Sequence, residues 1–166
     1  MKNKIYYIFN VFLFYSIFGN IFERCAMYFI DRSYVSGFMG SIFTPIYGIA
    51  ILIVLLIHNK IKVKNNILKL ILEFFIYFIV LSVLEFIGGV MIENVFNKIF
   101  WNYDKFKYNL GIYVSLEISL IWASLSMLIL YFVHPIFIKL EKRIPKFVTI
   151  LVSFIFIINL IMSLVK

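Results

Sequence analysis

Charge is scarce in this chain. Only 14% of its 166 residues are Asp, Glu, Lys or Arg, against 64% hydrophobic and 20% aromatic. Soluble domains carry about 25% charged and about 45–50% apolar residues. A water-soluble fold is therefore excluded, and an integral membrane protein is implied. Cys25 is the single cysteine, so neither an internal disulfide nor a Cys-rich metal site can form. No small-residue cleavage site follows the apolar run that begins after Lys4 and ends at Glu23-Arg24; an uncleaved first spanning helix is expected. There is no phosphate-cradling Gly-rich loop, no Walker motif and no DNA- or RNA-binding motif. Ser-Lys, Ser-His and His-Glu-x-x-His arrangements are missing as well. His58 and His134 stand at span ends without a second ligand at metal spacing, so no metal site is expected, and no cofactor.

The net charge of +8 is carried mainly by short loops between apolar runs. Membrane topology and anionic headgroups account for that pattern. The expected surroundings are a lipid bilayer, with no nucleic acid.

A spanning helix needs roughly 17–25 mainly apolar residues. Five stretches qualify: 5–22, 42–58, 70–93, 110–133 and 147–165. The fold class is all-α, a polytopic membrane helical bundle of about five transmembrane helices forming one membrane domain over 1–166. Thr44-Pro45 supplies an N-cap and a first-turn proline for the second span, and Pro145 starts the fifth. His134-Pro135 is expected to stop the fourth. Residues 25–44 mix charge, glycine and apolar groups, and are expected to dip into the interface or fold back on the bundle. Residues 59–69 form a basic loop. Residues 96–109 form an aromatic connector whose Trp101, Tyr103, Phe106 and Tyr108 suit headgroup level.

Of the 16 basic residues, ten fall on the side of the N-terminus: Lys2, Lys4, Lys60, Lys62, Lys64, Lys69, Lys139, Lys142, Arg143 and Lys146. Arg24, Arg32, Lys98, Lys105, Lys107 and Lys166 fall on the other. The positive-inside rule then puts the N-terminus in the cytoplasm and, after five spans, the C-terminus outside the plasma membrane.

The acidic residues are few and concentrated. Glu85, Glu93, Asp104 and Glu117 are four of the eight, set in or beside apolar runs where an ionisable group is costly and is by default a candidate functional site. Glu85, Gly89 and Glu93 share one helix face, about 6 Å apart along the axis. Gly88 and Gly89 allow another backbone to approach that face. Glu85 and Glu117 sit at similar depth on adjacent spans and could share a proton if they met. Two readings stand for each: a ligand-facing group, or a carboxylate that pins helix packing. Arg32 can hold a phosphate or carboxylate bidentately, or form an interfacial salt bridge. Trp101-Asn-Tyr-Asp104 is either a binding rim or part of an aromatic belt. Ser115, Ser119, Ser124 and Ser126 are expected in helix packing. Gly19-x-x-x-Glu23 and Gly89-x-x-x-Glu93 both close a span, a hint of internal duplication.

These residues together resemble a pattern. Tyr15-Ser16, Gly19 and Glu23 match its Tyr-Ser-x-x-Gly-x-x-x-Glu. Asp31-Arg32-Ser33 stands where it has Asn-Arg-Gly. Pro45, Tyr47 and Gly48 match Pro-x-Tyr-Gly, and Glu85, Gly89 and Glu93 match its Glu-Gly-Glu spacing. Trp101-Asn102-Tyr103-Asp104 with Asn109 is similar to Trp-Asp-Tyr-Ser followed by Asn. Trp122-Ala123 stands for Trp-Gly, and His134-Pro135 closes the pattern. Over about residues 12–136 the chain resembles the bacterial membrane family named "putative ABC-transporter permease" (type IV group). The departures are Asn102 for an aspartate, Ser33 for a glycine, and no evident Gly-Pro after that motif.

The resemblance implies a permease-like subunit of the bacterial inner membrane working with a separate nucleotide-binding ATPase. The residues themselves suggest a polar cavity facing outward, lined by Glu23, Arg32, Glu85, Glu93, Tyr103, Asp104, Asn109 and Glu117. Two alternatives remain open at this point. One is a membrane-embedded enzyme using carboxylate acid–base chemistry on a lipid-linked or peptide substrate. The other is a non-catalytic partner of a membrane complex.

Overall fold

The computed structural model describes residues 4–30 and 41–165. The chain is an all-α membrane protein, as its composition requires. The helices are α1 (Lys4–Ile30), α2 (Pro45–Lys60), α3 (Asn66–Phe96), α4 (Leu116–Leu128), α5 (His134–Glu141) and α6 (Lys146–Val165). A π-helical turn, Ile129–Val133, joins α4 to α5. Two two-residue strands, β1 (Asn109–Leu110) and β2 (Val114–Ser115), pair antiparallel before α4. Stretches Lys4–Cys25, Asn66–Phe96 and Leu116–Glu141 are long and apolar enough to cross a membrane; Pro45–Lys60 and Lys146–Met162 are shorter apolar helices.

Several expected boundaries move. The first helix runs on to Ile30 rather than ending at 22, so residues 25–30 are helical. The third span starts at Asn66 rather than 70, because Asn65 caps the helix: its side chain accepts a hydrogen bond from the Leu68 N–H. The fourth starts at Leu116 rather than 110. Gly111 takes φ +64, a turn conformation that costs glycine little, and Ser115 is the true N-cap, accepting from the Ile118 N–H. His134-Pro135 does not end the fourth span. A proline clashes with the carbonyl four residues back and removes one N–H. Here the preceding turn has widened to π register, with the His134 N–H bonded to the Ile129 carbonyl, and the helix runs on to Glu141.

The chain divides into two compact units, Met1–Ile53 with Ile136–Lys166, and Val54–Pro135. In the first, α1 packs on α6. The Ser16 carbonyl accepts from the Thr44 N–H (3.0 Å), and the Asn20 amide donates to Thr44 Oγ1 (3.0 Å), which fastens the start of α2 to α1. A Cβ on Gly48 would lie 2.6 Å from the Phe12 carbonyl oxygen, so glycine permits this approach. Asn10 lies at the centre of a buried polar cluster, donating to Glu141 Oε1 (3.0 Å) and accepting from Thr149 Oγ1 (2.7 Å). In the second unit α3 packs along α4. The buried face of α3 is Glu73, Tyr77, Leu81, Glu85 and Gly89, one residue every fourth position, as neighbours on a helix face require.

Candidate functional site: carboxylates along helix α3

Helix α3 has 31 residues, about 46 Å at 1.5 Å per residue, against a hydrocarbon layer of about 30 Å. Its middle, near Leu81, is deepest. Glu73 and Glu85 then lie within the apolar layer, and Glu93 and Lys69 near its two boundaries.

Glu85 is the most confined of the expected site residues that the structure describes, 7% exposed. Its Oε1 accepts two hydrogen bonds, from the Tyr103 hydroxyl (2.7 Å) and from Trp122 Nε1 (3.1 Å). Its Oε2 is buried and has no hydrogen-bond partner among the described residues. Tyr103 is brought there by the connector. Asn97 stops α3 in a left-handed conformation, its N–H on the Glu93 carbonyl. The chain then turns at Trp101-Asn-Tyr-Asp104, where Asn102 Oδ1 accepts from the Asp104 N–H (2.8 Å). The Tyr103 N–H donates to the Ile112 carbonyl (2.8 Å), and the Asn109 amide to the Tyr103 (3.0 Å) and Asp104 (3.2 Å) carbonyls.

Asn102 and Asn109 thus spend their side chains on the backbone turn that presents Tyr103. An aspartate at 102 would offer the same acceptor for this side-chain-to-backbone turn, so the asparagine found here keeps the loop. Asp104 is exposed.

One turn above Glu85, the Tyr113 ring lies against Gly89. A Cβ there would come within 2.3 Å of the ring. The Tyr113 hydroxyl donates to Glu93 Oε2 (2.6 Å), and the Trp101 indole N–H to the Tyr113 carbonyl (3.2 Å). Glu93 itself is exposed. Hydrogen bonding to Glu93, followed by burial, pushes the Tyr113 hydroxyl from 10.0 up to about 12. That bond needs the neutral phenol, so its stabilisation is complete below the ordinary tyrosine value and is lost as pH rises through about 12. The connector is expected to loosen across this alkaline window, seen as a red shift in tryptophan emission, and Tyr113→Phe should lack that step. A Tyr113→Phe protein with an identical alkaline transition would refute the assignment.

Glu117 occupies the first turn of α4, where a carboxylate suits the positive helix end. Its Oε2 is buried and has no hydrogen-bond partner among the described residues. No hydrogen bond links it to Glu85, whose Oε1 is shared by Tyr103 and Trp122. Glu23 lies in α1, in the other unit, and Arg32 falls outside the described residues. The structure therefore gathers Glu85 and Tyr103, with Glu93 on the same helix and Asn109 holding the loop.

Sequence reasoning missed a second centre at the opposite end of α3. Glu73 is fully buried. Oε1 contacts His58 Nδ1 (2.8 Å) and Oε2 accepts from the Tyr131 hydroxyl (2.6 Å). Lys69 Nζ stands 3.7 Å from Oε1. His58 is therefore a partner of a buried carboxylate, and its position at a helix end does not by itself explain it. Tyr131 belongs to the π-helical turn, a feature often found at functional sites. The signal was available: Glu73 precedes Glu85 by three steps of four along one face.

A family model matches residues 10–166. The chain belongs to the family described as "Putative ABC-transporter type IV". Searches of curated proteins and of solved structures return no match. Family membership supports a transporter component in a membrane with an ATPase as a possible partner.

Proposed function

We propose that this chain is a permease-like subunit of a bacterial inner-membrane transporter, driven by a separate nucleotide-binding ATPase. In this reading Glu85 faces the ligand, and Tyr103 on the connector covers it. The observation that carries it is the Glu85 carboxylate, buried in a spanning helix with one oxygen doubly bonded to donors and the other unpartnered. A purely structural glutamate gains most when both oxygens are satisfied. The basic stretches at 59–69 and 139–146 face the cytoplasm, following the excess of basic residues, and each offers contacts to the ATPase. The connector and the C-terminus lie on the opposite side.

The test is purification from native membrane in nanodiscs, with mass spectrometry of everything retained. A stoichiometric nucleotide-binding ATPase is expected, and its loss when Lys62 and Lys64 are changed to glutamate. A chain that repeatedly purifies with no ATPase would overturn the reading.

A further inference from the structure

A groove of about 860 Å³ runs between the first turns of α3 and the end of α4, continuing onto the π turn. It is within the size of ordinary small-molecule sites, about 300–1,000 Å³. Its chemistry is divided. Asn66 and Lys69 stand at one end, while Phe74, Met127 and Phe132 make an apolar body, with Tyr131 at its side.

Lys69 is ion-paired with Glu73, but the long contact leaves its N–H groups able to donate to a ligand. The two oxygens of Glu73 already have close partners in His58 and Tyr131. At 3.7 Å from Oε1, the ammonium is beyond the 2.7–3.2 Å of an ordinary N–H···O hydrogen bond. Position matters as much. Residues 66–74 cover about 12 Å of rise from the start of the span, so the polar end lies at headgroup depth and the apolar body reaches into the acyl layer. The charge around the polar end is of one sign: Lys60, Lys62 and Lys64 in and beside the preceding loop, and the positive N-terminus of a 31-residue helix.

We propose that this groove is a binding site for one anionic phospholipid, its phosphate held by Lys69 and Asn66 and an acyl chain lying along Phe74, Met127 and Phe132. An apolar helix from a partner would bury the Lys69 ammonium with only the Glu73 carboxylate, already shared with His58 and Tyr131, to balance it, and a soluble anion would leave the apolar body unfilled. A lipid with a net negative head meets both halves, and is favoured near a basic juxtamembrane loop. The site does not depend on the transport reading.

The delipidated full chain, in mild detergent, is titrated with phosphatidylglycerol or with phosphatidylcholine of the same acyl chains and read by native mass spectrometry. One phosphatidylglycerol is expected per chain, in preference to phosphatidylcholine. Lys69→Gln should weaken it about fivefold, the worth of one lysine at a membrane surface. Met127→Trp, which leaves Lys69 in place and fills the apolar body, should weaken both lipids. Equal retention of the two lipids, unchanged phosphatidylglycerol binding in Lys69→Gln, or its displacement by inorganic phosphate would each overturn the proposal. So would a second copy of the chain retained in place of lipid. Failure here leaves the ATPase experiment untouched.

Discussion

Glu85→Leu is expected to release the connector and abolish turnover of the proposed transport complex, whereas Glu85→Gln should abolish turnover with the connector still docked. Leucine removes the acceptor shared by Tyr103 and Trp122. The Trp122 indole lies in a spanning helix, where an abandoned donor costs about 1–3 kcal/mol. Tyr103 sits on the connector and can turn to water or headgroups, so its loss is nearer 1 kcal/mol, the net worth of one hydrogen bond. Removing a desolvated carboxylate works in the other direction, which keeps the chain folded while the connector detaches. Glutamine retains a carbonyl acceptor for both donors, replaces the open oxygen by an amide NH2, and cannot exchange a proton as a carboxyl can. The chain's only tryptophans, Trp101 and Trp122, lie on the connector and beneath it. Their emission should shift red in Glu85→Leu and stay in place in Glu85→Gln. A fully active Glu85→Leu protein would make the residue structural and sink the ligand role.

Glu73→Ala should be the most destabilising single change in the Val54–Pro135 unit, by about 3–5 kcal/mol. Each buried partner left without its acceptor costs about 1–3 kcal/mol, and the void adds to that. Alanine leaves His58 and Tyr131 without their acceptor and opens a void on a fully buried position. The three elements tied by this carboxylate, α2, α3 and the π turn, lose their common point. The triple change Glu73→Leu with His58→Leu and Tyr131→Phe removes donors and acceptor together, and is expected to cost much less than Glu73→Ala. Thermal unfolding in nanodiscs measures both. A Glu73→Ala loss below about 1 kcal/mol would mean that His58 and Tyr131 find other partners easily.

The class of the protein was legible at once, because burying polar backbone in lipid leaves only helices or closed barrels, and the apolar runs are of helical length. Pro45 and Asn97 show how local the rest of the reading is. Pro45 marks the start of α2 by its own ring, and was found. Asn97 ends α3 through a left-handed backbone that asparagine tolerates but does not announce, so the apolar run marks the span and not the residue that stops the helix. Gly111 and Ser115 delayed the fourth span for the same reason. The π turn before Pro135 was invisible, since the proline's own rule reads as a stop and the widened turn that relieves it depends on the surrounding packing.

Composition, helix-length apolar runs and the Glu85-Gly89-Glu93 spacing were determined by the sequence itself, because they follow from the solvent and from the 3.6-residue period. Partners were decided only by tertiary structure. Tyr103 and Trp122 lie 18 and 37 residues from Glu85, and Tyr131 lies 58 residues from Glu73. A side chain's place on a helix face is a local fact. Which distant donor meets it depends on how two helices and a loop pack, and no spacing along one helix records that.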